Sequence, residues 1–281
     1  MTDSSLRLPH NFHQTFIPEK HYLTAILRYA ADDLSGSFTE MSDETGIPMG
    51  KSSGKMPAIF NYALGMGLIE DQSKGRGAEK KPCLTPFGRT VLLEDPNFSE
   101  ELTQWLAHLN LCRRFHGADI WFLTFGPGQD AIGMQFSKDE LDQYLRRATG
   151  KRPKKTMAGP MFGMYDDPAS FKTSRILSVE NEMIKRFPAP LLDGFSDGYC
   201  AHFLSLFEKH FSRERQVTVT DFESETYWGR IGGWNESQME FIWDLLQNKK
   251  AVDVDRQMNP WIITRKSDAS AYWRTIYDDL V

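Results

Sequence analysis

The apolar positions in the first third of the chain predict three consecutive helices. Over residues 18–34 the apolar side chains recur three and four positions apart, which places them on one face of a helix. Ser37-x-x-Glu40 has the spacing of a capping box and predicts a second, short helix that ends at Gly46. A third apolar stripe at helical spacing follows, and its members are Met56, Ile59, Phe60 and Ala63.

Two short apolar runs predict a β-hairpin directly after the third helix. They cover residues 65–70 and 83–89, and they flank a tip that is rich in Gly and Lys. Three helices followed by a hairpin are the layout of a winged helix-turn-helix, in which a recognition helix fits the major groove of DNA. The pattern therefore predicts an N-terminal winged helix-turn-helix within residues 1–95.

The rest of the chain is predicted to be mainly helical. Helical spacing predicts helices over 99–113 and 119–125, and Ser137-x-x-Glu140 predicts the cap of another helix. Further helices are predicted at roughly 168–187, 198–211, 236–248 and 272–280, and short strands at 216–220 and 251–255.

These elements predict a mostly α fold of the α+β class. The winged helix-turn-helix over 1–95 is followed by a helical extension over 96–150 that packs on it. A C-terminal, mostly helical domain with small β elements is predicted over 151–281. The boundary between the last two rests on residues 146–155, which carry six basic side chains and no acidic one and are typical of a linker. The same composition would equally suit a second stretch that follows DNA phosphates.

The composition excludes several classes of protein. The 281 residues include 40% apolar residues and carry a net charge of −5, which suits a protein with a hydrophobic core. No apolar run is long enough to span a membrane, and the first residues do not resemble a signal peptide, so we expect a cytoplasmic protein without membrane association. Three cysteines without a CxxC pair argue against a disulfide framework or a structural zinc site.

Charge is unevenly distributed, and its distribution indicates a local contact with DNA. Residues 49–90 contain seven basic and three acidic side chains within an acidic protein. The alternative is that these basic loops are only solvated, or that the winged helix joins proteins. The residues expected to contact DNA lie at the start of the third helix and on the hairpin, and they are Lys51, Ser52, Ser53, Lys55, Lys74, Arg76, Lys80 and Lys81.

An acidic cluster is the candidate for catalysis. Asp221, Glu223 and Glu225 follow a predicted strand at alternate positions, so in an extended chain all three would face the same way. Such carboxylates could hold Mg²⁺ or Mn²⁺ in a nuclease, with Asp221 and Glu223 as the metal ligands. The alternative is a solvated edge strand, neutralised by Arg213 and Arg215 just upstream.

Several short motifs, taken in order, resemble a bacterial family described only as a domain of unknown function and found beside DNA phosphorothioation genes. The ordered match covers roughly residues 10–145. The residues that carry it are His13-Gln14-Thr15-Phe16, Ile47-Pro48-x-Gly50-Lys51-Ser52, Ala63-Leu64-Gly65-Met66-Gly67-Leu68-Ile69, Leu84-Thr85-Pro86-Phe87-Gly88, Asp95-Pro96 and Trp105-Leu106-x-His108.

The resemblance implies a DNA-nicking component of a phosphorothioation system that defends bacteria against phage. Its implied partners are DNA, a cysteine desulfurase, an ATPase and a sulfur-transfer enzyme, and it carries over no nicking residues. We therefore expect a DNA nickase. The alternatives are a non-catalytic DNA-binding adaptor that recruits sulfur-transfer enzymes, and a winged-helix transcriptional regulator. The sequence leaves a homodimer open.

Overall fold

Helices alternate with short strands in the computed structural model, which describes residues 7–50, 54–73, 79–150 and 157–280. The helices are α1 (Lys20–Ala31), α2 (Phe38–Thr45), α3 (Lys55–Gly65), α4 (Pro86–Glu94), α5 (Glu101–Leu111), α6 (Asp119–Phe125), α7 (Gly128–Ile132), α8 (Lys138–Thr149), α9 (Gly159–Asp166), α10 (Ser196–His210), α11 (Val219–Thr226), α12 (Trp228–Gly232), α13 (Glu236–Asn248) and α14 (Ala269–Trp273). The strands are β1 (Ile69–Asp71), β2 (Pro82–Leu84), β3 (Gln135–Ser137), β4 (Leu177–Glu180), β5 (Met183–Arg186), β6 (Gln216–Thr218), β7 (Val252–Asp255) and β8 (Ile262–Arg265). They form antiparallel sheets in the orders β1-β2, β3-β5-β4 and β6-β8-β7, so the predicted α+β class is confirmed.

The first third of the chain contains three helices and a hairpin in the predicted order. The capping box of α2 is complete: Glu40 N–H donates to Ser37 Oγ at 3.3 Å, and Ser37 N–H donates to Glu40 Oε2 at 2.7 Å. The helix ends at Gly46, which has the left-handed conformation typical of a C-cap. Gly36, just before α2, exchanges two backbone hydrogen bonds with Lys80, so this segment pairs with the hairpin.

The second strand of the hairpin is shorter than predicted, because a helix begins immediately after it. Thr85 Oγ1 accepts a hydrogen bond from Gly88 N–H at 2.9 Å and donates to the carbonyl of Gly67 at 2.6 Å. This cap begins α4 and ties its start to the end of α3. The predicted strand over 83–89 therefore ends at Leu84.

The predicted helix at 168–187 is wrong. This part of the chain contains a short 3-10 turn at Lys172–Ser174 and the hairpin β4-β5. Asn181 and Glu182 connect the two strands with φ of 47° and 67°. Positive φ at both central residues is the geometry of a type I′ turn, whose twist suits a two-residue hairpin.

One hydrophobic core extends through the described residues, from Phe12 to Ile276. Strand β3 pairs with β5, so residues on both sides of 151–156 share a sheet. Helix α10 packs against both α5 and α14, and α14 also packs against α4. The division of the chain at 95 and 150 stays a prediction. Among the described residues, no helix has the length and apolarity needed to cross a membrane.

Candidate functional site

Five of the residues predicted to contact DNA lie outside the described residues. They are Lys51, Ser52, Ser53, Lys74 and Arg76. The structure therefore locates the other three predicted contacts, which are Lys55, Lys80 and Lys81.

Lys55 is the first residue of α3, and its ammonium group is held by the protein. Its Nζ lies 2.5 Å from Glu19 Oε1 and 4.8 Å from the centre of the Tyr22 ring. The side chain is 19% exposed. Since an ammonium group so placed already has a carboxylate and an aromatic ring as partners, this residue stabilises the contact between α1 and α3. A contact with DNA stays a prediction for Lys55.

Lys80 and Lys81 lie just before β2, at the base of the hairpin loop, and differ in exposure. Lys80 Nζ is 3.1 Å from Asp71 Oδ2, and its side chain is 27% exposed. Lys81 Nζ is 3.3 Å from Asp33 Oδ1, and its side chain is 42% exposed. Exposed ion pairs of this kind contribute little to stability, so Lys81 can exchange its carboxylate for a phosphate at low cost.

The acidic cluster lies on a helix, and the expectation that its three carboxylates face the same way is wrong. Strand β6 ends at Thr218, whose hydroxyl caps α11 by accepting a hydrogen bond from Asp221 N–H at 3.0 Å. Successive helical residues are rotated by about 100°, so positions two apart point to nearly opposite sides. The spacing Thr218-x-x-Asp221 was the available signal for this helix.

Glu223 closes the turn between α11 and α12. Its carboxylate accepts hydrogen bonds from the backbone N–H groups of Gly229 (2.8 Å) and Arg230 (3.2 Å), and Arg230 Nη1 lies 3.1 Å away. Burial raises the pKa of Glu223 above its ordinary value, although these hydrogen bonds oppose the shift. The carboxylate therefore holds the protein backbone, which is a structural role.

The other two carboxylates have separate partners. Asp221 Oδ2 accepts a hydrogen bond from the Thr218 hydroxyl at 2.7 Å. Glu225 lies 2.8 Å from Arg114 Nη1 and 3.3 Å from His210 Nδ1. Within the described ranges, no group of three His, Cys, Asp or Glu side chains is arranged to hold a metal ion. The catalytic and metal-binding roles of Asp221, Glu223 and Glu225 stay predictions, and the geometry does not fit a shared Mg²⁺ or Mn²⁺ site.

A cleft of about 890 Å³ separates the hairpin and the start of α4 from α10 and α14. It was not predicted, because the residues that line it come from distant parts of the chain. Besides Arg7, which pairs with Asp119, three basic side chains line it: Arg113 and His116, just after α5, and Lys209 in α10. No carboxylate oxygen in the described part of the chain lies within 4.0 Å of their side-chain nitrogens.

The basic side chains of the cleft perturb one another. Desolvation at the cleft wall, followed by the charge of Arg113, lowers the pKa of Lys209 to about 8. Burial lowers the pKa of Arg113 to about 10. Burial, followed by the charges of Lys209 and Arg113, also lowers the pKa of His116. Burial is the largest cause in all three groups, and the neighbouring like charges lower the pKa values of Lys209 and His116 further.

The architecture is that of an α+β protein in which a three-helix and hairpin segment shares one core with a helical second half. No model of a protein family matches the chain, and no curated protein matches it. Two solved structures do match it along its whole length, and both are of the protein SspB.

An SspB crystal structure covers 100% of this chain and 91% of its own, with a TM-score of 0.72 and 15% sequence identity. A magnesium ion-bound SspB crystal structure covers 99% of this chain and 90% of its own, with a TM-score of 0.71 and 14% identity. The sequence motifs pointed to the same protein, the B protein of the Ssp phosphorothioation system, and the structural likeness confirms that closeness. At this identity the likeness shows a shared fold.

Proposed function

We propose that this chain is a DNA-binding component, with strand-nicking activity, of a bacterial DNA phosphorothioation system that defends against phage. The observation that carries the proposal is the likeness to SspB over the full length of the chain. In such a system a nick opens the backbone, so that sulfur can replace a non-bridging phosphate oxygen. The partners would be DNA, a cysteine desulfurase, an ATPase and a sulfur-transfer enzyme.

We propose a winged helix-turn-helix as the docking element. Helices α1, α2 and α3 precede the hairpin β1-β2, and a single antiparallel bridge joins Gly36 to Lys80, at the position where many winged helices have a third strand. In this arrangement α3 and the hairpin tip approach the same stretch of duplex. Lys81 at the hairpin base, together with Lys51 and Lys74, would then neutralise phosphates.

The nicking step is proposed without an assigned metal site. One of the similar SspB structures is magnesium ion-bound, and a nickase of this kind would use Mg²⁺ or Mn²⁺ to stabilise charge on the phosphate. Glu223 lies on the opposite side of α11 from Asp221 and Glu225, and each of the three carboxylates has a different partner, so they do not fit a single ion. This divergence favours a second candidate function, a DNA-binding adaptor that recruits a partner with the nicking activity.

Duplex binding tests the docking element. Lys81→Glu and Lys51→Glu should each weaken binding in a fluorescence anisotropy titration, and should lower the slope of log K against log salt by about 0.9 for each lost phosphate contact. Lys185→Glu makes the same charge change on β5 and should bind as the wild type does. Equal binding by all four proteins would exclude the winged helix as the interface.

Plasmid nicking separates the two functions. The purified chain should convert supercoiled plasmid to the open circle in the presence of Mg²⁺ or Mn²⁺, and EDTA should abolish the conversion. Asp221→Ala tests the predicted acidic site, because this exposed residue can be replaced at the cost of one helix cap bond. Binding without nicking under all of these conditions would support the adaptor.

A further inference from the structure

The cleft between the hairpin and α10 has the size and lining of a ligand site. Its volume of about 890 Å³ lies within the range of roughly 300–1,000 Å³ that is usual for small-molecule sites. Phe87 from α4 and Trp273 from α14 contribute to the lining, with ring centroids 4.9 Å apart. β1 forms part of the wall, so the cleft opens beside the base of the hairpin.

Among the residues that the structure describes, Arg113, Lys209 and His116 form no ion pair within 4.0 Å. Arg113 Nε donates a hydrogen bond to the Asn110 carbonyl at 3.0 Å, which anchors the guanidinium group at the end of α5. Lys209 lines the same cleft, and its ammonium group and the Arg113 guanidinium repel each other. Two cations near one another are unfavourable unless an anion offsets their charge. His116 also lines the cleft, and its lowered pKa favours the neutral imidazole, which can donate a hydrogen bond to such an anion.

Most of the other charged groups in the cleft are engaged elsewhere. Arg7 Nε pairs with Asp119 at 2.9 Å, outside the set of three. Asp71 accepts hydrogen bonds at the hairpin base, from Lys80 Nζ among others. Glu208 accepts a hydrogen bond from the backbone N–H of Ala269 at 2.8 Å.

Glu70 on β1 is the carboxylate that faces the basic set most directly. Its charge raises the pKa of both Arg113 and Lys209, yet it forms no ion pair within 4.0 Å among the described residues. One exposed carboxylate cannot neutralise an arginine and a lysine together. The cleft therefore keeps a net affinity for anions.

We infer that this cleft binds one nucleotide unit of a DNA strand, with the phosphate held by Arg113, Lys209 and His116. A guanidinium, an ammonium and an imidazole group together are suited to a phosphate, because each donates hydrogen bonds to its oxygens. Phe87 and Trp273 are 2% and 5% exposed, so their rings stabilise the wall of the cleft from within, and the charged groups make the contact with the nucleotide. The inference rests on the proposed function, which supplies DNA as the ligand; a free nucleotide shares the same chemistry.

Binding of a short 5′-fluorescein-labelled oligothymidylate tests the inference. Lys209→Gln and Arg113→Gln should each weaken binding by about tenfold, the usual effect of losing one charge-assisted hydrogen bond. Glu70→Gln should strengthen binding by up to about fivefold, because it removes the opposing charge at an exposed position. Lys185→Gln is the matched control and should bind like the wild type.

The decisive result is that oligothymidylate binding weakens in Lys209→Gln and Arg113→Gln but strengthens in Glu70→Gln. A misfolded variant can lose affinity, but only removal of a repelling charge explains a gain, and thermal unfolding verifies that each variant is folded. If Lys209→Gln and Glu70→Gln both bind like the wild type, the cleft is not a nucleotide site. Unlabelled thymidine 5′-monophosphate should compete weakly; competition as strong as that of the unlabelled oligonucleotide would overturn the assignment to a DNA strand in favour of a free nucleotide.

Failure of the cleft inference can be distinguished from failure of the proposed function. Duplex binding that is lost in Lys81→Glu but unchanged in every cleft variant would leave the DNA-binding proposal intact and refute the cleft. Conversely, a wild-type protein that binds no duplex, but binds oligothymidylate with the expected pattern of cleft variants, would support the cleft and refute duplex docking.

Discussion

Three histidines enclosed in the core should make the protein sensitive to mild acid. His13, His108 and His202 are at most 3% exposed. Burial lowers the pKa of His13 to about 4 and of His202 to about 3, and it places the pKa of His108 well below its ordinary value. The folded protein therefore keeps all three neutral at a pH where the unfolded chain protonates them.

The sign and size of the effect follow from proton linkage. Between about pH 6.5 and pH 4 the unfolded state binds more protons than the folded state, so stability is fully present above that window and falls as the pH decreases. At about pH 5 each histidine lowers the free energy of unfolding by about 2 kcal/mol relative to neutral pH. This value follows because pH 5 lies about 1.5 units below the ordinary pKa of 6.5, and each unit corresponds to about 1.36 kcal/mol. The three together amount to about 6 kcal/mol, which is comparable with the whole stability of many domains.

His202→Gln isolates one of the three contributions. His202 Nδ1 accepts a hydrogen bond from Trp228 Nε1 at 3.0 Å, so protonation at Nδ1 would break that bond inside the core. The amide oxygen of Gln can accept the same bond but does not titrate. Urea unfolding at a series of pH values should therefore show a dependence on pH reduced by about a third in this variant.

A second histidine provides the control for that measurement. His21 on α1 is exposed, so His21→Gln makes the same substitution at the surface and controls for the exchange of histidine for glutamine. If His202→Gln and the wild type lose stability in parallel between pH 6.5 and pH 5, His202 is not held neutral by burial and the reasoning is refuted.

Three further predictions test the packing and the division of the chain. Gly88→Ala should destabilise the protein by about 3 kcal/mol or more in urea unfolding, because the new Cβ would lie 1.8 Å from the Leu68 carbonyl oxygen; an unchanged midpoint would contradict this contact. Glu223→Gln should cost about 1–3 kcal/mol by the same measurement, since the amide has one acceptor oxygen where the carboxylate offers two to the N–H groups of Gly229 and Arg230, and unchanged stability would contradict its structural role. Trypsin should cut first within 146–155, at exposed sites such as Arg146 and Arg147, and the fragments should elute together on size exclusion because β3 pairs with β5; fragments that separate would show two independent domains.

Helices that are capped by side chains close in sequence could be predicted from the sequence alone. The capping boxes at Ser37 and Ser137 and the cap at Asn235 each involve residues three positions apart, and helices begin after all of them. The apolar stripe of α3 is buried as its spacing predicts. Such features depend on local backbone geometry and on burial of one face, and both are visible in a single stretch of sequence.

Short strands and turns were harder to predict, because competing local signals overlap. The hairpin β4-β5 was predicted as helix, since a few apolar residues in a short run suit either structure. The positive φ of Asn181 and Glu182 decides between them, and it is a property of the folded backbone. Likewise Thr218 ends a strand and caps a helix, which places Glu223 on the opposite side of α11 from Asp221 and Glu225.

The candidate sites depend on contacts between parts of the chain that are far apart in sequence. Glu225 meets Arg114, and Lys209 shares a cleft with Arg113, although no spacing in the sequence relates these residues. The packing of the helices in the core determines which charged side chains lie close enough to form an ion pair. Local patterning therefore determined the elements of this protein, whereas tertiary packing decided which charges are paired and which are left to bind a ligand.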